Sequence, residues 1–244
     1  MKLLVSDYDG TFDTSVNDIE LNCKKIKEFM EDGNLFVLSS GRSLKSLSNK
    51  VKEHNIPYSF LSCADGSFLF DDKNSMHFAY TMSHDSIYDF HELIDLKKHK
   101  KFEYAFPEDY SEEYDKFKLL GSLAFTIENK KINKAFLNTW SKLTKQYPEY
   151  QYNVYGYDGL TFYLIRPHGV SKASPIGYLE GMYNIPRDEI YTIGDNSNDK
   201  ELIRDYNGYR IGSNSDLIPV SIQQYGSVNR LIDDINNKKV LKRW

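Results

Sequence analysis

The sequence has little cysteine, no long apolar run and no N-terminal leader pattern, and each lack argues against a class of protein. Only Cys23 and Cys63 occur in 244 residues, without metal-ligand spacing, which argues against a disulfide framework and fits a reducing compartment. No apolar run approaches the ~20 residues that span a bilayer. The first residues enter an apolar strand rather than a signal peptide. We therefore expect a cytoplasmic protein that has no membrane partner.

The sequence also lacks an excess of positive charge. Its 31 basic and 35 acidic residues give a net charge of −4, so we expect no nucleic-acid partner. The basic clusters at 97–101 and 238–243 are interpreted as a solvated helix face and a frayed tail. The six histidines are scattered without an HExxH pattern, and none is expected to be catalytic. The oligomeric state is left open.

Two aspartates directly follow the first apolar run, at residues 3–5. Asp7 and Asp9 are two positions apart and are followed by Gly10. Since side chains two apart on a strand share a side, both carboxylates are expected to leave the strand end close together. Adjacent carboxylates repel each other unless a cation or a shared proton relieves them. The alternative is a solvated Asp-Gly loop without chemistry.

A second apolar run, residues 35–38, ends in Ser39-Ser40-Gly41-Arg42, and Leu44, Leu47 and Val51 follow at helical spacing. A serine hydroxyl and the backbone N–H groups at a helix start suit a phosphate oxygen. The alternative is that Ser40 is only the N-cap of this helix.

Lys172 lies in the segment 169–173, just before a predicted helix at 172–183. A cation is not favoured at a helix N-terminus, so we interpret Lys172 as held there for an anion. The alternative is an ordinary surface lysine.

A dense cluster of acid and amide groups follows the β-branched run 190–193. Residues 194–199 read Gly-Asp-Asn-Ser-Asn-Asp and offer the oxygen ligands that Mg²⁺ prefers. The alternative is an Asx-rich turn that caps the next helix. We expect all four segments to follow strands and to meet at the carboxyl edge of one sheet, where open α/β folds bind ligands. The residues alone thus predict an acidic metal site with anion donors.

Strands and helices alternate over residues 1–80 and again over 169–244, which predicts an α/β fold with a doubly wound parallel sheet. The first helix is expected to begin near Asn17. Between them, residues 81–168 show helices and hairpins, including Asp158-Gly159 between two strands, a strong hairpin signal. We predict an inserted α+β domain there.

In their order and spacing, these segments resemble the haloacid dehalogenase superfamily of hydrolases, specifically the Cof-like phosphatases with a large C2-type cap. The matching stretches are residues 7–12, 40–42, 169–172 and 194–199. The resemblance implies a Rossmann-like core and, in residues 81–168, a cap domain that no motif covers. Asp65-Gly66 stands where the family often has Asn-Gly.

The resemblance further implies a Mg²⁺-dependent phosphatase acting on a small phosphorylated metabolite, such as a sugar phosphate. Asp7 would be the nucleophile and Asp9 the general acid and base. The remaining roles it implies are these: Asp7, Asp195 and the backbone carbonyl of Asp9 as metal ligands, Ser40, Gly41, Arg42, Lys172 and Asn198 around the substrate phosphate, and Asp199 supporting the metal site or Lys172 from behind. Arg42 could instead pair with an acidic neighbour.

Two alternatives remain open from the sequence. A phosphomutase or phosphoryl transferase would use the same four segments and keep water out. A non-catalytic phospho-acceptor module that binds Mg²⁺ would not need an inserted domain. Cap residues would decide the substrate, and Tyr110, Lys116, Tyr155 and Asp158 are polar candidates.

Overall fold

The structure is a computed structural model that describes residues 1–14, 19–93 and 101–243. Asn17, the expected start of the first helix, and residues 97–100 of the first basic cluster lie outside the described residues. The chain divides into two compact units. The first comprises residues 1–78 and 171–244, and the second comprises residues 79–170.

The elements follow one another along the chain as strands β1–β13 and helices α1–α7. In order they are β1 Leu3–Asp7, α1 Ile19–Glu31, β2 Leu35–Ser39, α2 Leu44–His54, β3 Phe60–Cys63, β4 Phe68–Asp71, β5 Met76–Ala79, α3 His84–Leu93, β6 Lys101–Ala105, β7 Tyr110–Ser111, β8 Ser122–Glu128, α4 Lys134–Gln146, β9 Tyr150–Tyr157, β10 Leu160–Pro167, α5 Ser174–Tyr183, β11 Ile190–Gly194, α6 Lys200–Asp205, β12 Asn207–Ile211, β13 Gln224–Tyr225 and α7 Val228–Asn236.

The first unit is built on an eight-stranded sheet of order β13-β12-β11-β1-β2-β3-β4-β5. β1 lies in its middle and pairs in parallel with β11 and β2, with Leu3 opposite both Ile190 and Leu35. The strands from β13 to β3 run parallel, and β4 returns antiparallel to β3. The predicted α/β class with a large parallel sheet is confirmed.

Strand β1 explains why the motif residues sit where they do. All five of its residues are buried, which is the pattern of a parallel strand covered on both faces. Leu3 and Val5 belong to a core cluster that also contains Val37 and Ile190 from the neighbouring strands. Asp7 is the last residue of β1, so the apolar strand delivers its carboxylate to the carboxyl edge of the sheet.

The second unit contains a five-stranded sheet of order β7-β6-β8-β10-β9. Its strands pair antiparallel. Asp158 and Gly159 connect β9 to β10 with positive φ angles of 42° and 75°, as a two-residue hairpin turn requires. Strands β7 and β13 have two residues each, too few to produce a detectable sequence period.

One expectation about the motifs is wrong. The segment 169–172 follows β10, which belongs to the sheet of the second unit, so the four motifs do not all follow strands of one sheet. Lys172 enters the first unit just before α5 instead. Within the described ranges, no helix has the length and apolar character needed to cross a membrane.

Candidate active site

A buried lysine joins two aspartates from distant parts of the chain. The Lys172 ammonium Nζ donates hydrogen bonds to Asp7 Oδ1 at 2.5 Å and to Asp199 Oδ1 at 2.7 Å. All three residues are buried, with exposures of 1%, 4% and 0%. Lys172 is therefore held for anionic partners, and the surface-lysine alternative is wrong.

Glycine 66 explains how the Lys172 segment reaches the end of β1. It has a φ of +92°, and a Cβ there would overlap the carbonyl oxygen of Ser171. Only glycine permits this close backbone approach. The turn after β3 therefore fixes the path of the chain as it re-enters the first unit.

A third aspartate completes a group of carboxylates at this edge. Asp7, Asp195 and Asp199 each offer an oxygen, and these oxygens lie within 4.8 Å of one another. Burial raises the pKa of Asp7, the charge of Asp199 raises it further, and Lys172 only partly opposes them. Burial likewise raises the pKa of Asp195, to which Asp199 adds.

The same excess of negative charge acts on Lys172. Burial lowers the pKa of its ammonium, but the charges of Asp199 and Asp7 outweigh burial and hold the pKa above its usual range. Three carboxylates face one ammonium, so a further cation would be attracted to the cluster and would offset its negative charge.

Asp195 is positioned by the loop that follows β1. Thr11 Oγ1 donates to Asp195 Oδ1 at 2.7 Å. Gly10 has a φ of +83°, and a Cβ at this position would collide with the Asp195 carboxylate. The glycine and threonine of the first motif thus shape the pocket for Asp195, a role that the sequence pattern does not reveal.

Asp199 both caps a turn and contacts Lys172. Its Oδ2 accepts the backbone N–H groups of Asp195 and Asn196, each at 3.1 Å. Asn196 and Asp199 form a reciprocal capping box on the short 3-10 turn at 197–199. The loop therefore does form a capping turn, as the alternative held. The same hydrogen bonds hold the Asp199 carboxylate in place, so capping does not exclude a site.

Asp9 has a cation of its own. Arg42 binds it through two hydrogen bonds, Nε to Oδ2 at 2.8 Å and Nη2 to Oδ1 at 2.6 Å. The Arg42 guanidinium also lies 5.6 Å from the centre of the Tyr8 ring. Asp9 is not part of the carboxylate group around Asp7. The carboxylates that lie close to Asp7 and repel it are therefore those of Asp195 and Asp199, not that of Asp9 as expected. Of the two readings of Arg42, the structure shows the acidic pair.

Ser40 is buried and does not cap α2. The N-cap is Ser43, whose side chain accepts the Ser46 N–H at 3.2 Å. Ser40 Oγ instead accepts the Arg42 N–H at 3.2 Å and lies 3.4 Å from Asp9 Oδ2. The capping alternative for Ser40 is wrong, and its hydroxyl faces the Asp9 side of the site.

Asp65 joins the loops after β2 and β11. Its N–H donates to the carbonyl of Ser40 at 3.2 Å, and its Oδ1 accepts from Asn198 Nδ2 at 3.0 Å. A Cβ on Gly41 would lie 3.2 Å from the same oxygen. Asp65 adopts a left-handed backbone, with a φ of 52°. Gly41 and Asn198, both predicted to bind the phosphate, therefore both lie next to the Asp65 carboxylate.

The family comparison agrees with this architecture. A model described as haloacid dehalogenase-like hydrolase matches residues 4–216. The chain belongs to this family. The predicted membership of the haloacid dehalogenase superfamily is confirmed. No curated protein sequence matches the chain.

Solved structures share the fold of this hydrolase at low sequence identity. A phosphatase of the haloalkanoate (HAD) enzyme superfamily from Bacteroides thetaiotaomicron has a TM-score of 0.75 and 16% identity, covering 99% of this chain and 96% of that chain. A HAD/COF-like hydrolase from Plasmodium vivax has a TM-score of 0.71 and 17% identity, covering 98% and 96%. A HAD subclass IIB sugar phosphatase has a TM-score of 0.70 and 12% identity, covering 99% and 100%.

The donor set of this hydrolase fits a hard divalent cation. All three clustered donors are carboxylates, and oxygen ligands are what Mg²⁺ prefers. Burial, together with the charge of Asp199, raises the pKa values of Asp7 and Asp195, and a bound cation would favour the ionised form of both. The residues present therefore suit Mg²⁺.

Sequence reasoning missed one contributor to the site and left the role of another open. Thr11 belongs to the first motif, but nothing in its spacing shows that it holds Asp195. Asp65 was noted as a departure from the family pattern, and it follows β3, which ends at the same edge as β1 and β2.

Proposed function

We propose that this hydrolase is a Mg²⁺-dependent phosphatase that cleaves a small phosphorylated metabolite of the cytoplasm, such as a sugar phosphate. The observation that carries the proposal is the bridge from Lys172 to Asp7 and Asp199 beside Asp195. The fold shared with a sugar phosphatase supports the substrate class.

Asp7 is the nucleophile in this proposal. Its carboxylate attacks phosphorus, the ester oxygen leaves with its electron pair, and an aspartyl-phosphate forms. The hydrogen bond from Lys172 to Oδ1 holds the carboxylate in one orientation and offsets the repulsion between it and an anionic substrate. Positioning and charge neutralisation of this kind are the main sources of catalysis in phosphoryl transfer.

The residues that would hold Mg²⁺ are Asp7 and Asp195 through their carboxylates and Asp9 through its backbone carbonyl. The bound ion would neutralise charge on the phosphoryl oxygens. Thr11 and Gly10 keep Asp195 in place, and Asp199 keeps Lys172 in place.

Asp9 acts as general acid and base. It gives a proton to the leaving oxygen and, in the second step, takes one from the water that attacks the aspartyl-phosphate, which releases phosphate and restores Asp7. Arg42 engages both oxygens of Asp9, so one of these hydrogen bonds must open for the proton to move.

The oxygens of the substrate phosphate are bound by Ser40, the Gly41 backbone, Lys172 and Asn198. Ser40 and Gly41 lie in the loop before α2, and the first turn of a helix favours anions. We further propose that the inserted domain of residues 81–168 acts as the cap and selects the organic part of the substrate.

Steady-state hydrolysis of an aryl phosphate with Mg²⁺ tests the proposal. The Asp7→Asn variant keeps the size of the side chain and loses the nucleophile, so we expect kcat/KM to fall by about 10⁴-fold or more. The matched control is Asp188→Asn, since Asp188 lies in the same unit and its carboxylate pairs with Lys242 at the surface.

A substantial residual rate in Asp7→Asn, or an equal loss in Asp188→Asn, would contradict the nucleophile assignment. The same assay with a hexose phosphate separates hydrolysis from transfer. Free phosphate supports the phosphatase, whereas an isomerised hexose phosphate supports the mutase alternative.

A further inference from the structure

One carboxylate at the site has no role in the proposed reaction. Asp65 is partly buried and lies between the loop that would bind the phosphate and the loop that carries Asp195. Among the described residues it has one side-chain hydrogen bond, from Asn198. Its charge also acts on Lys172, whose pKa it helps to raise. The carboxylate is therefore electrostatically coupled to the centre of the site.

The placement of Asp65 is built into the fold. The N–H of Asp65 bonds to Ser40 and the N–H of Ala64 bonds to the Arg42 carbonyl at 2.9 Å, so the turn after β3 is tied to the loop after β2. Ala64 and Asp65 both have positive φ angles, which cost free energy in residues other than glycine. The absence of a side chain on Gly41 leaves the space that the carboxylate fills.

A carboxylate at this position is unexpected beside a phosphate. An ionised Asp65 repels a phosphate dianion, and unlike an amide it offers only acceptors. When Asp9 carries the proton for the leaving oxygen, the other four aspartates of the site bring four negative charges, which Lys172, Arg42 and one divalent cation only just balance. A phosphate dianion then makes the loaded site negative. A substrate that also carries a positive charge relieves this imbalance.

We propose that Asp65 is a specificity-determining residue that selects phosphate monoesters whose leaving group carries an ammonium group near the ester oxygen. The inference rests on the proposed phosphatase reaction and names its substrate class. The ammonium donates to the Asp65 carboxylate while the phosphate occupies the Ser40 and Lys172 side of the site. An anionic group at the same place is repelled.

Three esters with the same two-carbon chain test the proposal: phosphoethanolamine, 2-hydroxyethyl phosphate and phosphoglycolate, which end in a cation, a neutral group and an anion. The readout is kcat/KM with Mg²⁺ for the full chain and for Asp65→Asn. We expect phosphoethanolamine to be preferred over phosphoglycolate by about tenfold or more, and Asp65→Asn to reduce that ratio by about tenfold.

Asp216→Asn is the matched control. Asp216 accepts a hydrogen bond from Ser197 on the outer side of the same acidic loop, so the variant removes an equal charge without touching the Gly41 loop. We expect its ratio to stay within about twofold of the unmodified chain, because exposed charges are strongly screened. A ratio unchanged in Asp65→Asn, or changed equally in Asp216→Asn, overturns the proposal. So does an equal effect of Asp65→Asn on 2-hydroxyethyl phosphate and phosphoethanolamine.

Binding measurements separate this inference from the proposed function. Isothermal titration of the three esters into Asp7→Asn, with and without Asp65→Asn, reports affinity without turnover. If no ester is hydrolysed but the affinities follow the same order, the selectivity stands and the phosphatase proposal fails. If the three esters are hydrolysed at equal rates, the phosphatase proposal stands and the selectivity fails. Binding of none of the three overturns the selectivity.

Discussion

The two units of this hydrolase have cores of different composition. In the first unit, the buried cluster around the parallel sheet is mainly aliphatic, with Leu3, Val5, Val37 and Ile190 at its centre. In the second, six of the thirteen buried residues of the cluster are aromatic. They are Phe90, Tyr104, Phe106, Phe125, Tyr150 and Tyr163, beside Met82, Ile87, Leu120, Leu123, Ile127, Leu143 and Ile165. The first unit also buries aromatic side chains, among them Tyr8, Phe12 and Phe29, so the contrast is one between these two clusters.

Buried charge divides the units more sharply. Asp7, Lys172 and Asp199 are buried in the first unit, whereas in the described part of the second unit the buried polar side chain is Ser86. Burying charged groups costs free energy unless they are paired. A cluster of buried charges therefore points to a functional site. The buried charges therefore lie in the first unit, while ring pairs contribute to the packing of the second.

The largest effect is expected from breaking the buried charge cluster. Lys172→Met leaves Asp7 and Asp199 buried without their cation, and we expect the free energy of unfolding to fall by about 3–5 kcal/mol. Lys242→Met is the matched control, since Lys242 pairs with Glu189 at the surface and should cost less than about 1 kcal/mol. Denaturant unfolding of both variants measures the difference, and equal losses would contradict the contrast between the units.

The ring packing of the second unit gives the next prediction. Phe125 stacks on Tyr163 at 4.8 Å and meets Trp140 edge-on at 6.0 Å, whereas Phe36 in the first unit meets Phe12 at 5.9 Å. We expect Phe125→Leu to cost about 1–3 kcal/mol and Phe36→Leu about 1 kcal/mol, because each ring pair adds to burial. Denaturant unfolding followed by circular dichroism compares them. A larger cost at Phe36 would show that ring pairs do not distinguish the cores.

Within the first unit, Ser43 is expected to contribute to stability and Ser40 to activity. Ser43 caps α2, so Ser43→Ala should lower the free energy of unfolding by about 1 kcal/mol and leave kcat/KM unchanged. Ser40→Ala should lower kcat/KM, because Ser40 faces Asp9 and the proposed phosphate position. Parallel activity and unfolding measurements check the pair. Equal activity in both variants would remove Ser40 from the site.

The smallest effect concerns pH and Mg²⁺. The folded-state pKa of Asp195 is raised, so without metal its contribution to stability is present below about pH 4, the unfolded pKa of aspartate, and is lost as pH rises through the folded pKa. Asp195→Asn removes this loss, and we expect a gain below about 1 kcal/mol at neutral pH, because solvent screens a half-buried group.

Thermal melts from pH 4 to pH 8, with and without Mg²⁺, measure that effect. Mg²⁺ should raise the melting temperature of the unmodified chain more at pH 7 than at pH 4, and should raise that of Asp195→Asn less. A Mg²⁺ effect of the same size in both proteins would contradict the metal assignment.

Much of the first unit was predictable from local pattern. The runs at 3–5, 35–38 and 190–193 are buried strands because apolar residues fill them, and strand ends necessarily bring Asp7, Ser40 and Asp195 to one edge. Lys172 was assigned correctly to an anion from its place just before α5, but the expectation that it follows a strand of the same sheet is wrong. Ser40 and Ser43 differ in role although both precede α2, and only the hydrogen-bond geometry distinguishes them.

The alternation of strands and helices, the residues at the strand ends and the hairpin at Asp158-Gly159 could be predicted from the sequence, because these features depend on near neighbours in the chain. The pairing of polar groups became known from the folded chain: Lys172 with Asp7 and Asp199, Arg42 with Asp9, and Asn198 with Asp65. Electrostatic and hydrogen-bond energies depend on distances between atoms that can be 165 positions apart in the chain, and no local period encodes those distances.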